Sequence, residues 1–184
     1  FSINIFSYYN NDFLLSLRSS VFTTVSLVTT TGFSTVNYDL WPASCKVIIF
    51  FLLFLGGCAG STTGAMKIIR TIVVGKVLVC EMKKLIHPKG VFSIKIGDNN
   101  IDDNVIKNTL GFYLFYIFIF ILAALIFSLT GLDLITALTA SASAIGNIGP
   151  GLGLIGPAEN WSELHNIAKW VAAFCMLLGR LEIF

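Results

Sequence analysis

Residues 28–33 read Val-Thr-Thr-Thr-Gly-Phe and lie between hydrophobic segments. Threonine hydroxyls and backbone carbonyls are oxygen ligands, and carbonyl oxygens can replace the hydration shell of an alkali cation. Non-helical backbone at bilayer depth is tolerated only where it lines a water-filled cavity or is buried in protein. A Thr-Thr-Gly turn in this setting is therefore expected to be a re-entrant pore loop whose carbonyls face a cation. Gly32, and Gly149 in a second glycine-rich turn, suit that task because glycine reaches backbone angles that other residues resist. The Thr30 hydroxyl adds a ligand at the inner end. A tight turn between packed helices, with no ion, is the plain alternative.

Two further features belong to the same chemistry. Gly56, Gly57, Gly60 and Gly64 fall within nine residues of an apolar run. Each glycine costs a helix about 1 kcal/mol relative to alanine, so residues 56–64 are expected to interrupt a helix whose two halves are residues 46–55 and 65–79. On one reading Ser61, Thr62 and Thr63 line a pore and move as a gate; on another the stretch is a flexible kink. It lacks the Gly-Lys-Ser/Thr end of a nucleotide-binding loop. Arg180 stands deep in an apolar run, where a charge is costly unless it faces water or a partner. It either donates to the carbonyls of residues 56–64, or repels cations, or pairs structurally with Glu182, or snorkels to the interface.

The elements that position these residues follow from composition. Hydrophobic residues make up 55% of the 184 and charged residues 12%, against about a quarter charged in soluble domains. Mean hydropathy is +0.84. This is membrane composition, and the net charge of +2 does not suggest nucleic acid. Residues 12–28 form a short helix, too short and too rich in Ser and Thr to span. Residues 109–129 form the clearest spanning helix. Residues 133–146 are short and small-residue-rich, suited to close helix packing, and residues 167–184 return inward. Trp41 and Trp161 are expected as interface anchors, and residues 1–11 as an interfacial loop with Tyr8 and Tyr9 at headgroup level.

Lys67, Arg70, Lys76, Lys83, Lys84, Lys89 and Lys95, against Glu81 alone, mark the connector as cytoplasmic. Residues 87–90 are a turn, with His87 a solvated loop residue. Residues 97–104 are a polar turn that leaves Asp102 or Asp103 near a helix N-terminus. Cys45, Cys58, Cys80 and Cys175 are too scattered for a metal site and are expected as small packing residues. Asn160-Trp161-Ser162 matches a glycosylation sequon, a pattern that arises often by chance. The chain opens without Met and without a signal peptide, and it closes inside an apolar run, so a longer membrane protein is expected.

The two halves echo one another: short helix, glycine turn, polar return, Trp, apolar run, Leu-Gly. The resulting expectation is an all-α membrane protein of tandem helix–re-entrant loop–helix repeats. Residues 1–104 are one partial repeat and residues 105–184 a second. Loops that ring an axis need more than two members, so a four-fold pore needs two more repeats. The function class is cation conduction. A secondary transporter with broken helices is the alternative, disfavoured because residues 46–55 and 109–129 contain no Asp or Glu. No Ser/His/Asp set, no HExxH and no paired intramembrane aspartates suggest an enzyme.

Together, Thr30-Thr31-Gly32-Phe33, the glycine-rich residues 56–64, Lys84-Leu85-Ile86-His87-Pro88, Asn147-Ile148-Gly149-Pro150-Gly151 and Gly179-Arg180-Leu181-Glu182-Ile183-Phe184 resemble the Trk/Ktr/HKT superfamily of potassium transporters, and its TrkH-type bacterial membrane subunits in particular. The resemblance runs from about Ser19 onward. It implies a pseudo-four-fold potassium pore, with this chain holding most of the third and fourth repeats. Thr30, Thr31 and Gly32 correspond to the third filter loop, and Asn147, Ile148 and Gly149 to the fourth. Gly56, Gly57, Gly60, Ser61, Thr62, Thr63 and Gly64 correspond to the loop that obstructs the pore below the filter, and Arg180 to the basic residue facing it. It also implies K+ as the transported ion, no organic cofactor in this chain, a multi-pass protein of the bacterial inner membrane, a homodimer, and a cytosolic nucleotide-binding regulatory ring as partner.

Overall fold

A computed structural model of the chain describes residues 5–6, 8–9, 12–58, 60–87, 94–96 and 99–181. Helix α1 spans Phe13–Val28 and starts where Asp12 caps it, its carboxylate accepting from the Leu15 N–H at 3.2 Å. A 3₁₀ turn, Tyr38–Leu40, leads to α2, Ala43–Leu52, entered through Pro42. Helix α3, Ile68–Ile86, carries the basic connector. A short antiparallel pair follows, β1 Lys95–Ile96 against β2 Asn99–Asn100. Helix α4 is Asp103–Leu129, α5 Leu134–Gly146 and α6 Asn166–Leu181. Asp133 caps α5 through the Thr136 N–H at 3.3 Å.

Helix α4 is the one helix among the described residues long and apolar enough to cross a membrane. It begins six residues before the expected start because Asp102 takes the N-cap position and Asp103 the first turn, where negative charge is favoured. The break between α2 and α3 is wider than the four glycines alone require, running from Leu53 to Lys67.

Helix α1 buries its polar face. Ser16, Ser19, Ser20, Thr23 and Ser26 are buried, while Phe13, Leu14, Val21, Phe22 and Val25 are exposed. That is the reverse of a soluble amphipathic helix and fits a helix whose apolar side meets lipid or further protein. Past its exposed first residues, Leu134 and Ile135, helix α5 is largely buried, with Thr136, Thr139, Ser141 and Ser143 inside. Its hydroxyls are absorbed by backbone: Ser141 donates to the Phe120 carbonyl of α4 at 2.7 Å. Ala137, Ala140 and Ala144 of α5, Ala168 and Ala172 of α6, and Ala123 of α4 share one core with Phe127 and Cys175. Small residues at these positions let the three helices approach closely.

Three expectations require correction. Trp41 is not an interface anchor: it is 2% exposed and packs in a second core with Tyr38, Cys45, Ile49 and Leu53. Ile5 is fully buried in that core, so residues 1–11 are not wholly an interfacial loop; Tyr8 is exposed. Cys45, Cys80 and Cys175 are buried, but Cys58 stands exposed in the glycine-rich loop. His87 is exposed and ends α3; the turn expected after it at residues 88–90 lies outside the described residues.

Candidate functional site: two glycine turns above a closed loop

Both glycine turns follow the C-terminus of a short helix with buried hydroxyls, and they share one backbone pattern. After α1, Thr30 has φ +52° and Gly32 φ +77°; after α5, Asn147 has φ +53° and Gly149 φ +108°. In an extended strand successive residues face opposite sides, and a left-handed residue at every second position removes that alternation. A β-branched Thr at positive φ is a genuine outlier, and such strain gathers at functional sites. Each turn is braced by a serine one helical turn upstream. The Thr31 N–H donates to the Ser26 carbonyl at 2.9 Å, and the Ile148 N–H to the Ser143 carbonyl at 3.1 Å. The Ser26 hydroxyl donates to the Phe33 carbonyl at 2.6 Å, while the Ser143 hydroxyl accepts from the Gly149 N–H at 3.1 Å.

The two turns lie against each other. A Cβ added to Gly32 would sit 2.0 Å from the Ile148 carbonyl oxygen and 3.1 Å from the Pro150 ring. Only glycine fits there. Among the described residues, no hydrogen-bond donor reaches the carbonyls of Thr30, Thr31, Gly32, Asn147 or Ile148. Ile148 is buried, Thr30, Gly32 and Asn147 are half-buried and Thr31 is exposed, so these five oxygens are available to water or to another ligand.

The Gly149 carbonyl is different. It accepts the Trp161 indole N–H at 3.0 Å, which occupies one of its two lone pairs. Trp161, expected as an interface anchor, is half-buried and tied to the turn by this bond. The turn is held from behind as well. The Thr139 hydroxyl accepts from the Leu152 N–H at 3.1 Å, and the Thr136 hydroxyl from the Leu154 N–H at 3.2 Å.

Below the turns, residues 53–67 form a closed loop rather than a loose kink. Leu55 and Met66 pair in a parallel bridge. The Gly56 N–H donates to the Met66 carbonyl at 2.8 Å, and the Ile68 N–H to the Gly57 carbonyl at 3.2 Å. Two of the three hydroxyls expected to line a pore instead close the loop on itself. Thr63 Oγ1 accepts from the Gly57 N–H at 2.9 Å, and the Ser61 hydroxyl from the Thr63 N–H at 3.3 Å. Thr62 is the exposed one. A Cβ on Gly64 would meet the Gly146 carbonyl oxygen at 2.1 Å, so the loop abuts the end of α5. Gly60 has open space around it.

Arg180 reaches this loop from α6, its guanidinium donating to the Thr62 carbonyl at 2.6 Å. The alternative partner, Glu182, lies outside the described residues. One turn earlier, the Asn147 side chain donates to the Met176 carbonyl at 2.9 Å. A Cβ on Gly179 would fall 1.8 Å from the Ile145 carbonyl oxygen. The α6 turn Met176–Arg180 therefore touches the turn after α5 on one side and the glycine-rich loop on the other.

Sequence reasoning placed the two turns, the loop and Arg180, and missed the serine braces and the Trp161 clamp. The braces carried a signal: Ser143, Asn147 and Gly149 stand 117 positions after Ser26, Thr30 and Gly32.

The TrkH family model, described as a cation transport protein, matches residues 15–184. The chain belongs to the TrkH family. It is 43% identical over 169 residues to the Trk system potassium uptake protein TrkI of Halomonas elongata, covering 91% of this chain and 34% of that protein. It is 37% identical over 171 residues to TrkH of Escherichia coli strain K12, covering 93% of this chain and 35% of the relative. The crystal structure of the potassium transporter TrkH from Vibrio parahaemolyticus superposes with a TM-score of 0.90 at 36% identity, over all of this chain and 39% of that one. The chain thus spans about a third of the length of the TrkH-family relatives it matches.

Proposed function

We propose that this chain is the third and fourth repeats of a pseudo-four-fold pore, and that the complete protein takes up potassium across the bacterial inner membrane. Residues 1–104 are the partial third repeat and residues 105–184 the fourth. The observation that carries this reading is the contact between two turns of matching left-handed pattern, with five carbonyls that no described donor reaches. Thr30, Thr31, Gly32, Asn147 and Ile148 supply oxygens to the ion, which replace its hydration shell. Gly149 bends the chain and holds its oxygen on the scaffold.

The gate is the closed loop beneath. Gly56, Gly57, Gly60, Ser61, Thr62, Thr63 and Gly64 block the path, and Arg180 latches the loop by its bond to Thr62 and adds a positive charge that cations must pass. The complete protein pairs as a homodimer and answers to a cytosolic nucleotide-binding ring, as the family resemblance implies. Uptake of rubidium against sodium by proteoliposomes holding the complete protein tests the filter. Strong preference for rubidium is expected; equal uptake overturns the reading. Arg180→Ala tests the latch: raised ungated flux is expected, and unchanged flux and regulation reject it.

A further inference from the structure

We propose that Trp161 is a specificity-determining positioning residue, setting which oxygens the fourth-repeat turn offers to the ion; this rests on the filter reading above. The argument starts at the Gly149–Pro150 peptide. Proline has no N–H, so this peptide unit has a single hydrogen-bonding group, the Gly149 carbonyl. Its described partner is the Trp161 indole N–H at 3.0 Å. Gly149 has φ +108° and no side chain of its own to help fix the unit. The other polar group of Gly149, its N–H, goes to the Ser143 hydroxyl. Both polar groups of this glycine are thus held by side chains, one on the pore helix and one on the outer return.

Trp161 is itself fixed. It opens a 3₁₀ turn capped by Asn160, whose side chain accepts from the Ser162 N–H at 2.9 Å. Lys169 of α6 donates to the Ser162 carbonyl at 2.6 Å. The indole packs on the α4–α5–α6 core. A rigid donor thereby holds the Gly149 oxygen toward the outer return, and on this reading Asn147 and Ile148 supply the oxygens of this repeat. Selectivity depends on the number and placement of coordinating carbonyl dipoles. Without the clamp the Gly149–Pro150 unit swings, and the oxygen set at the fourth position is no longer fixed. In the turn after α1 the side-chain bond goes to the next carbonyl along, that of Phe33, which accepts from the Ser26 hydroxyl.

The test is rubidium-against-sodium uptake by the complete transporter carrying Trp161→Phe, normalised to protein inserted in the membrane. A three- to tenfold fall in discrimination is expected, about the factor to which one hydrogen bond of ordinary net strength corresponds. Trp161→His, which keeps a ring N–H, is expected to recover part of the loss. If Trp161→Phe does not reach the membrane, Trp161→Tyr takes its place in the same comparison. Unchanged discrimination in a well-inserted variant overturns the role of Trp161 while leaving the filter reading intact. A wild type with no preference for rubidium overturns both.

Discussion

Gly32 has the least freedom to change of any residue in the site. Its φ of +77° and the Ile148 oxygen 2.0 Å from any Cβ leave no room for alanine. Gly32→Ala must push the two turns apart, and the ions that pass would meet a wider, less regular oxygen set. A loss of rubidium-over-sodium preference of at least about tenfold is expected in flux measurements, from a left-handed strain of 1–3 kcal/mol plus the clash. Gly179→Ala meets the Ile145 oxygen at 1.8 Å in a helix interface, not in the turn itself. Overpacking of this kind costs about 1–3 kcal/mol, so a lower melting temperature in detergent is expected. At this scale the glycines were legible because their type is the signal. The left-handed Thr30 and Asn147 were not, because neither type demands that conformation; the packed neighbourhood imposes it. The Trp161 bond to Gly149 was hidden for a related reason, since twelve residues of irregular chain separate donor and acceptor.

Among the elements, α5 does the positioning. Its buried threonines are the pegs on which the outer return hangs: the Thr139 hydroxyl accepts from the Leu152 N–H at 3.1 Å and donates back to the Ile135 carbonyl at 2.8 Å. Thr139→Val keeps the shape and removes both bonds. A destabilisation of about 1–3 kcal/mol is expected, since a buried backbone donor is left without a partner, and thermal unfolding of the purified protein measures it. Helix limits were legible where a cap writes them: Asp12 and Asp133 sit at the expected starts of α1 and α5. Trp41 was misjudged because its surroundings are set by packing of distant elements, and interface enrichment of Trp says nothing about one residue buried against Tyr38 and Cys45. The glycine-rich stretch was legible as a break but not as a closed loop, because its neck pairs residues across the break, Leu55 with Met66.

For the whole molecule, the membrane class was legible from composition and from α4, and the recurrence of a glycine turn after each of two short helices from motif order alone. What could not be read from motif order was the contact between repeats, in which Gly32 of one rests on Ile148 of the other. That contact is the central claim of the mechanism: two turns, one axis, carbonyls turned to a shared ion. Arg180 and Met176 link the glycine-rich loop and the turn after α5 through one turn of α6, so on the proposed reading gate and filter are mechanically joined. The most direct measurement is the anomalous scattering of rubidium or thallium bound to crystals of the complete protein. Density is expected within coordination distance of the carbonyls of Thr30, Thr31, Gly32, Asn147 and Ile148. Density elsewhere, with none between these two turns, would contradict it.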